Sequence, residues 1–122
     1  MDFDYRIDDQ DGIQIIHLSG KLLGREHTQG LTDTVDDLVG SGKNHLIINL
    51  EKLTHMNSSG LGILIHFLTK SRNSGGELVV VKVPPIIEKL LIITKLNNVF
   101  SQEDDMAVAI STLKAHMGEA TA

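Results

Sequence analysis

The sequence predicts an α/β domain with a mixed, mostly parallel sheet that begins with an antiparallel hairpin and is flanked by about four helices. Three observations predict it. Residues alternate apolar and polar at period two on both sides of Asp11-Gly12, two short β-branched runs lie at 46–50 and 77–83, and segments with helical apolar spacing separate and follow them.

The hairpin comes first: Phe3, Tyr5 and Ile7 alternate with Asp4, Arg6 and Asp8, and Ile13, Ile15, Ile16 and Leu18 follow the turn. Residues 20–24 are expected as a loop. From His27 the apolar positions Leu31, Val35, Leu38 and Val39 mark an amphipathic helix that Gly40-Ser41-Gly42 stops. The nearly continuous run Leu46-Ile47-Ile48-Asn49-Leu50 is that of a central strand covered on both faces. A functional loop is expected over residues 51–59, before a second helix with Leu61, Leu64, Ile65 and Leu68 on one face. Residues 77–83 form another buried strand, which Pro84-Pro85 breaks before a helix over Ile86, Leu90 and Ile93. A turn and a stub of strand at Asn97-Asn98-Val99-Phe100 precede a terminal helix lined by Met106, Ile110, Leu113 and Met117. One domain, residues 1–118, is expected, with a frayed tail at 119–122.

The 122 residues include no cysteine, which excludes disulfides, thiolate metal sites and cysteine nucleophiles. Eleven basic against sixteen acidic residues give a net charge of −5, which disfavours nucleic acid and anionic membranes as partners. Five aspartates in the first twelve residues are opposed only by Arg6. No signal peptide and no span long enough for a bilayer is present, so a cytoplasmic protein is expected.

Ser58 and Ser59 open a helix whose first turn contains Gly60 and Gly62, where free N–H groups and the helix dipole favour an anion. This suits a phosphoserine. It also suits a serine N-cap worth about 1 kcal/mol, and a small-molecule or nucleotide sensor would place its anion at the same helix start. A nucleophile elbow is disfavoured, because Met56-Asn57-Ser58-Ser59-Gly60 lacks the first glycine, and His116, Asp104 and Asp105 are explained by the exposed side of a terminal helix. Gly40-Ser41-Gly42-Lys43 lacks the leading glycine and the hydroxyl residue of a P-loop and reads as a helix stop. Asp9, Asp11 and Gly12 lack the remaining calcium ligands and read as a charged turn. Six histidines without close ligand spacing imply no metal, and no cofactor is expected. Ile63 and Phe67 widen the apolar surface of the second helix, either as core or as a docking patch beside Ser58.

Ile48-Asn49-Leu50, Leu53, Met56-Asn57-Ser58-Ser59-Gly60-Leu61-Gly62 and Gly75-Gly76-Glu77-Leu78 closely resemble the STAS domain of bacterial anti-sigma factor antagonists. The likeness extends to Leu18-Ser19-Gly20-Lys21-Leu22, Pro84-Pro85 and the closing helix over 107–113. It implies a non-enzymatic regulatory module that sequesters an anti-sigma factor and works by partner switching. That partner is commonly also a serine kinase of the histidine-kinase-like ATPase fold. The resemblance assigns phosphorylation to Ser58, with Ser59 as the alternative, and a serine phosphatase reverses it. It implies partner contacts at Asn57, Ser58, Ser59, Gly60, Leu61, Gly62, Ile63 and Phe67, and a monomer or weak homodimer. Two departures remove negative charge: Asn57 stands where the family usually has aspartate, and Leu23 or Gly24 where the early loop commonly carries another. A constitutive binding module or a scaffold is the alternative those departures leave open.

Overall fold

The computed structural model describes residues 3–24 and 27–121, with side chains described as far as Gly118. β1 (Phe3–Gln10) and β2 (Ile13–Leu22) pair antiparallel, from Phe3 opposite Gly20 to Gln10 opposite Ile13. Asp11 and Gly12 take φ of 55° and 89°, the paired positive values of a two-residue turn that matches strand twist. The Asp9 carboxylate accepts from Gln14 Nε2 at 2.7 Å and from the Gly12 N–H at 3.1 Å, and these bonds hold its carboxyl below the usual carboxylate range.

After the hairpin come α1 (Gln29–Gly40), β3 (His45–Met56), α2 (Ser58–Asn73), β4 (Glu77–Val81), α3 (Pro85–Ile93), β5 (Ser101–Glu103) and α4 (Met106–Thr121). The five strands lie in the order β1-β2-β3-β4-β5, and every pair after the first is parallel. The predicted architecture is therefore present. Side chains of the tail expected to fray, 119–122, lie outside the described residues, while helical backbone is described to Thr121.

Strand alternation splits the core in two. On one face, Ile16, Leu18, Leu46, Ile48, Leu78 and Val80 pack under α1, α2 and α3, with Phe67 fully buried among them. On the other, Ile13, Ile15, Ile47, Val79 and Val81 meet Ala109 and Leu113 of α4. Each buried aliphatic side chain contributes about 1.5–3 kcal/mol relative to exposure, so both layers hold the sheet. Where α4 no longer covers its face the same alternation turns polar, with Ile15 followed by His17 and Ile47 by Asn49. There Asn49 Nδ2 lies 3.0 Å from His17 Nδ1, and His17 Nε2 lies 3.1 Å from Asp8 Oδ2.

Two expected loops are strand. β2 continues through Lys21 and Leu22, and β3 through residues 51–56, because these extensions pair with each other, Gly20 opposite Leu53 and Leu22 opposite Met56. Irregularities between His17 and Ser19 and between Gly20 and Lys21 accommodate the longer ladder, with Gly20 at φ 87°. β4 stops at Val81, opposite Asn49, so this end of β3 projects beyond it. The nine-residue functional loop shrinks to Asn57.

Gly40-Ser41-Gly42-Lys43 is a helix stop: the Lys43 N–H returns to the Leu38 carbonyl at 2.9 Å and Gly42 has φ 95°. His116 does not lie on the exposed side of α4. Its Nδ1 is 3.0 Å from Nε2 of His45, which is 8% exposed at the start of β3. Burial, then the neighbouring His116, lower the pKa of His45 from 6.5, opposed by Glu77 on β4. The unfolded chain therefore binds more protons than the folded one below about pH 6.5, and stability falls as pH drops through that window. Thermal unfolding between pH 7.5 and 5 is expected to show this loss, with a shallower dependence in His45→Gln. An equal slope in both proteins would assign the loss elsewhere.

Candidate functional site

The site lies at the carboxyl ends of β2 and β3, where the sheet delivers the chain into the N-terminus of α2. Asn57 is extended, at φ −114° and ψ −174°, and caps the helix: its Oδ1 accepts from the Gly60 N–H at 2.9 Å. Its Nδ2 donates to the Leu23 carbonyl at 3.2 Å, tying the loop after β2 to the start of α2. Ser58 and Ser59 are therefore the first two helical residues and not caps. Their backbone N–H groups and hydroxyls have no hydrogen-bond partner among the described residues, and both residues are exposed. No acidic residue stands in the first turn. The positive end of the helix is thus presented to solvent beside two free hydroxyls, an arrangement that tolerates a phosphate.

Asn57→Ala is expected to lower stability by about 1 kcal/mol, since the Gly60 N–H loses its acceptor. The measurement is a urea unfolding midpoint. An Asn57→Asp protein keeps the cap and loses only the donor to Leu23, so its midpoint should lie above that of the alanine variant; a midpoint as low as the alanine variant's would show that capping is not what Asn57 contributes.

The two glycines of the first turn have different roles. A Cβ on Gly60 would collide with the Leu22 carbonyl, so bareness there lets α2 press against β2. A Cβ on Gly62 would meet nothing within 4 Å.

Asn57, Ser58, Ser59 and Gly62 are exposed together on this end of the domain. The apolar docking patch at Ile63 and Phe67 is corrected: Phe67 is 0% exposed, Leu61 3% and Ile63 7%, and Gly60 is also buried. Three of the positions expected at a partner surface, Gly60, Leu61 and Phe67, thus support the loop from inside. α1 packs beside α2 and takes the solvent-facing side of the apolar stripe into the core. Ile63 instead reaches the floor of a groove of about 520 Å³ between α1 and α2, lined by Gly24, Gln29, Thr32, Asp36, Ser59, Gly62 and His66 as well. His66 Nε2 lies 2.9 Å from Asp36 Oδ1 across it. Leu23, 49% exposed, adds an apolar side chain on the adjoining loop.

The groove residues of α1 were missed because nothing in the sequence brings Asp36 to His66. The available signal was the charge of α1, whose Asp33, Asp36 and Asp37 are accompanied by no basic residue. The Ser58–His116 pairing a hydrolase would use is not formed. His116 meets His45 at the start of β3, and that twelve-residue strand, roughly 36 Å long, separates the pair from the end where Ser58 lies. Among the described residues no three His, Asp or Glu side chains converge on a metal position, and no helix is long and apolar enough to cross a membrane.

The family model described as STAS domain matches residues 4–119. An anti-sigma F factor antagonist from Paenibacillus polymyxa is 29% identical over 105 residues, covering 84% of this chain and 88% of the relative. Among solved structures, an anti-sigma factor antagonist from Mycobacterium paratuberculosis superposes with a TM-score of 0.77 at 22% identity, over 92% of this chain and 94% of that one. The Bacillus cell fate determinant SpoIIAA in its phosphorylated form superposes with a TM-score of 0.72 at 18% identity, over 89% and 98%.

Proposed function

Because the chain belongs to the STAS domain family, we propose that it is an anti-sigma factor antagonist: it sequesters an anti-sigma factor and is released when Ser58 is phosphorylated. The observation that carries the reading is the free Ser58 hydroxyl on the first residue of a helix whose exposed N-terminus holds no acid. The 29% identity to an antagonist from Paenibacillus polymyxa supports the partner class.

Transfer of the γ-phosphoryl group of ATP to Ser58 Oγ forms an O–P bond, breaks the bond from the γ-phosphorus to the β–γ bridging oxygen, and releases ADP and the hydroxyl proton. Asn57 is an amide and cannot take that proton, so the base belongs to the kinase. The kinase proposed is the anti-sigma factor itself, of the histidine-kinase-like ATPase fold, and a serine phosphatase resets the switch. The added charge of about −1.5 to −2 sits on free N–H groups in the isolated domain, so the fold accepts it. A partner fitted closely over Ser58 would have to desolvate it. The reading places the protein in the cytoplasm as a monomer or weak homodimer that is a substrate and not an enzyme.

The absence of a carboxylate at position 57 favours one rival, a constitutive binding module or scaffold that is never phosphorylated. Binding of the purified protein to the individually expressed anti-sigma factors of its source organism, with and without Mg-ATP, separates the two. The switch gives a complex that dissociates as ATP phosphorylates Ser58. The constitutive module gives a complex that ATP leaves unchanged, and no binding to any of them would reject both.

A further inference from the structure

We infer that the groove between α1 and α2 is a seat for a cationic side chain, arginine or lysine, of the protein partner. This rests on the partner-binding role proposed above and specifies its chemistry.

The groove is amphipathic in the way such a side chain is. Its floor is Ile63 and the bare backbone of Gly62, its wall the Asp36 carboxylate, and its rim the Gln29 amide with the Thr32 and Ser59 hydroxyls. A methylene stem can lie on Ile63 and Gly62 while the charged head reaches Asp36. Asp36 Oδ1 is held by His66, and Oδ2 has no hydrogen-bond or ion-pair partner among the described residues. Asp33 and Asp37 lie on the same helix, and no base on α1 offsets them, so the local field favours a cation.

Gly62 points to the same occupant. Glycine in a helix interior costs roughly 0.5–1 kcal/mol relative to alanine. Gly60 is required by the Leu22 carbonyl, but among the described residues nothing outside its own turn of helix comes within 4 Å of a Cβ on Gly62. The fold does not need a glycine there. Its absent side chain instead keeps the groove open next to Ser59, which an arriving side chain requires.

The test uses the full chain, labelled with nitrogen-15, titrated with N-acetyl-arginine amide and, separately, with N-acetyl-norleucine amide, which has the stem without the charge. Saturable amide shifts confined to Gln29, Thr32, Asp36, Ser59, Gly62, Ile63 and His66 are expected with the arginine probe only. Asp36→Asn, which keeps an acceptor for His66, should weaken the probe about tenfold, the loss typical of one charge-assisted hydrogen bond. Gly62→Leu, which fills the groove from the solvent side, should abolish binding while the melting temperature holds. Equal shifts with norleucine, or arginine binding indifferent to Asp36→Asn, would overturn the inference. The probe titration requires no anti-sigma factor, so its failure is separate from failure of the functional reading. With a binding anti-sigma factor in hand, Asp36→Asn should also weaken the complex about tenfold, and unchanged affinity would overturn the seat while leaving antagonism intact.

Discussion

Gly60→Ala should lose about 3 kcal/mol of stability, whereas Gly62→Ala, two residues along the same helix, should gain roughly 0.5–1 kcal/mol. The loss comes from backbone, since the new Cβ meets the Leu22 carbonyl oxygen and carbon, which move only if the strand moves. Either β2 shifts, breaking its pairing of Leu22 with Met56, or α2 lifts from its seat over Leu22. The gain at Gly62 comes from the unfolded chain, whose freedom alanine reduces, with open space around the new methyl group. Urea unfolding reads both as midpoint shifts in opposite directions at constant slope. Similar losses at both positions would mean that Gly62 is also a packing glycine.

The second large effect is on binding. Ser58→Asp should weaken the anti-sigma factor complex about a hundredfold, equivalent to roughly 2.7 kcal/mol, and leave the melting temperature within a degree or so of wild type. An acid at the first helical position is favoured by the dipole, so the isolated domain has no reason to lose stability. The cost arises only when a partner covers the charge and strips its water. Ser58→Ala should keep the affinity, since the hydroxyl has no partner among the described residues and caps nothing. A Ser58→Asp complex as tight as wild type would remove the electrostatic basis of the switch.

The parts of this arrangement that were legible in the sequence are those fixed by local pattern. Asp11-Gly12 between alternating segments specified the hairpin, the run at 46–50 specified a doubly covered strand, and Pro84-Pro85 specified the start of α3. The Ser58 helix start was legible too, because Asn57 and two serines before an apolar periodicity form an N-terminal signal. What escaped depended on pairing between distant segments. Residues 51–56 are mostly exposed and charged or polar, so their strand character comes only from the ladder with β2. The burial of Phe67 depended on α1 lying beside α2, and helical spacing alone does not say which face a neighbour covers. His45 and His116, 71 positions apart, and Asp36 and His66, 30 apart, meet only through the topology.

The departures from the family pattern bear on the same site. By the resemblance, Asn57 stands where the family usually has aspartate and Leu23 or Gly24 where another is common, and the structure ties the two segments together: Asn57 Nδ2 donates to the Leu23 carbonyl while Oδ1 caps α2. An aspartate at position 57 could accept from Gly60 but could not donate to Leu23. The amide therefore holds both the start of α2 and the loop after β2, where a carboxylate would hold only the helix, which suits a preformed docking end that loses less freedom on binding.

Whether Ser58 carries the switch is read from the site-mapped intact mass of the protein after incubation with Mg-ATP and an anti-sigma factor that binds it, alongside Ser58→Ala. A single added phosphate is expected on Ser58 and none on the variant, with dissociation of the complex in step with the modification. A complex that persists with no added phosphate, while the same kinase labels another substrate, would contradict it and leave a constitutive binding module.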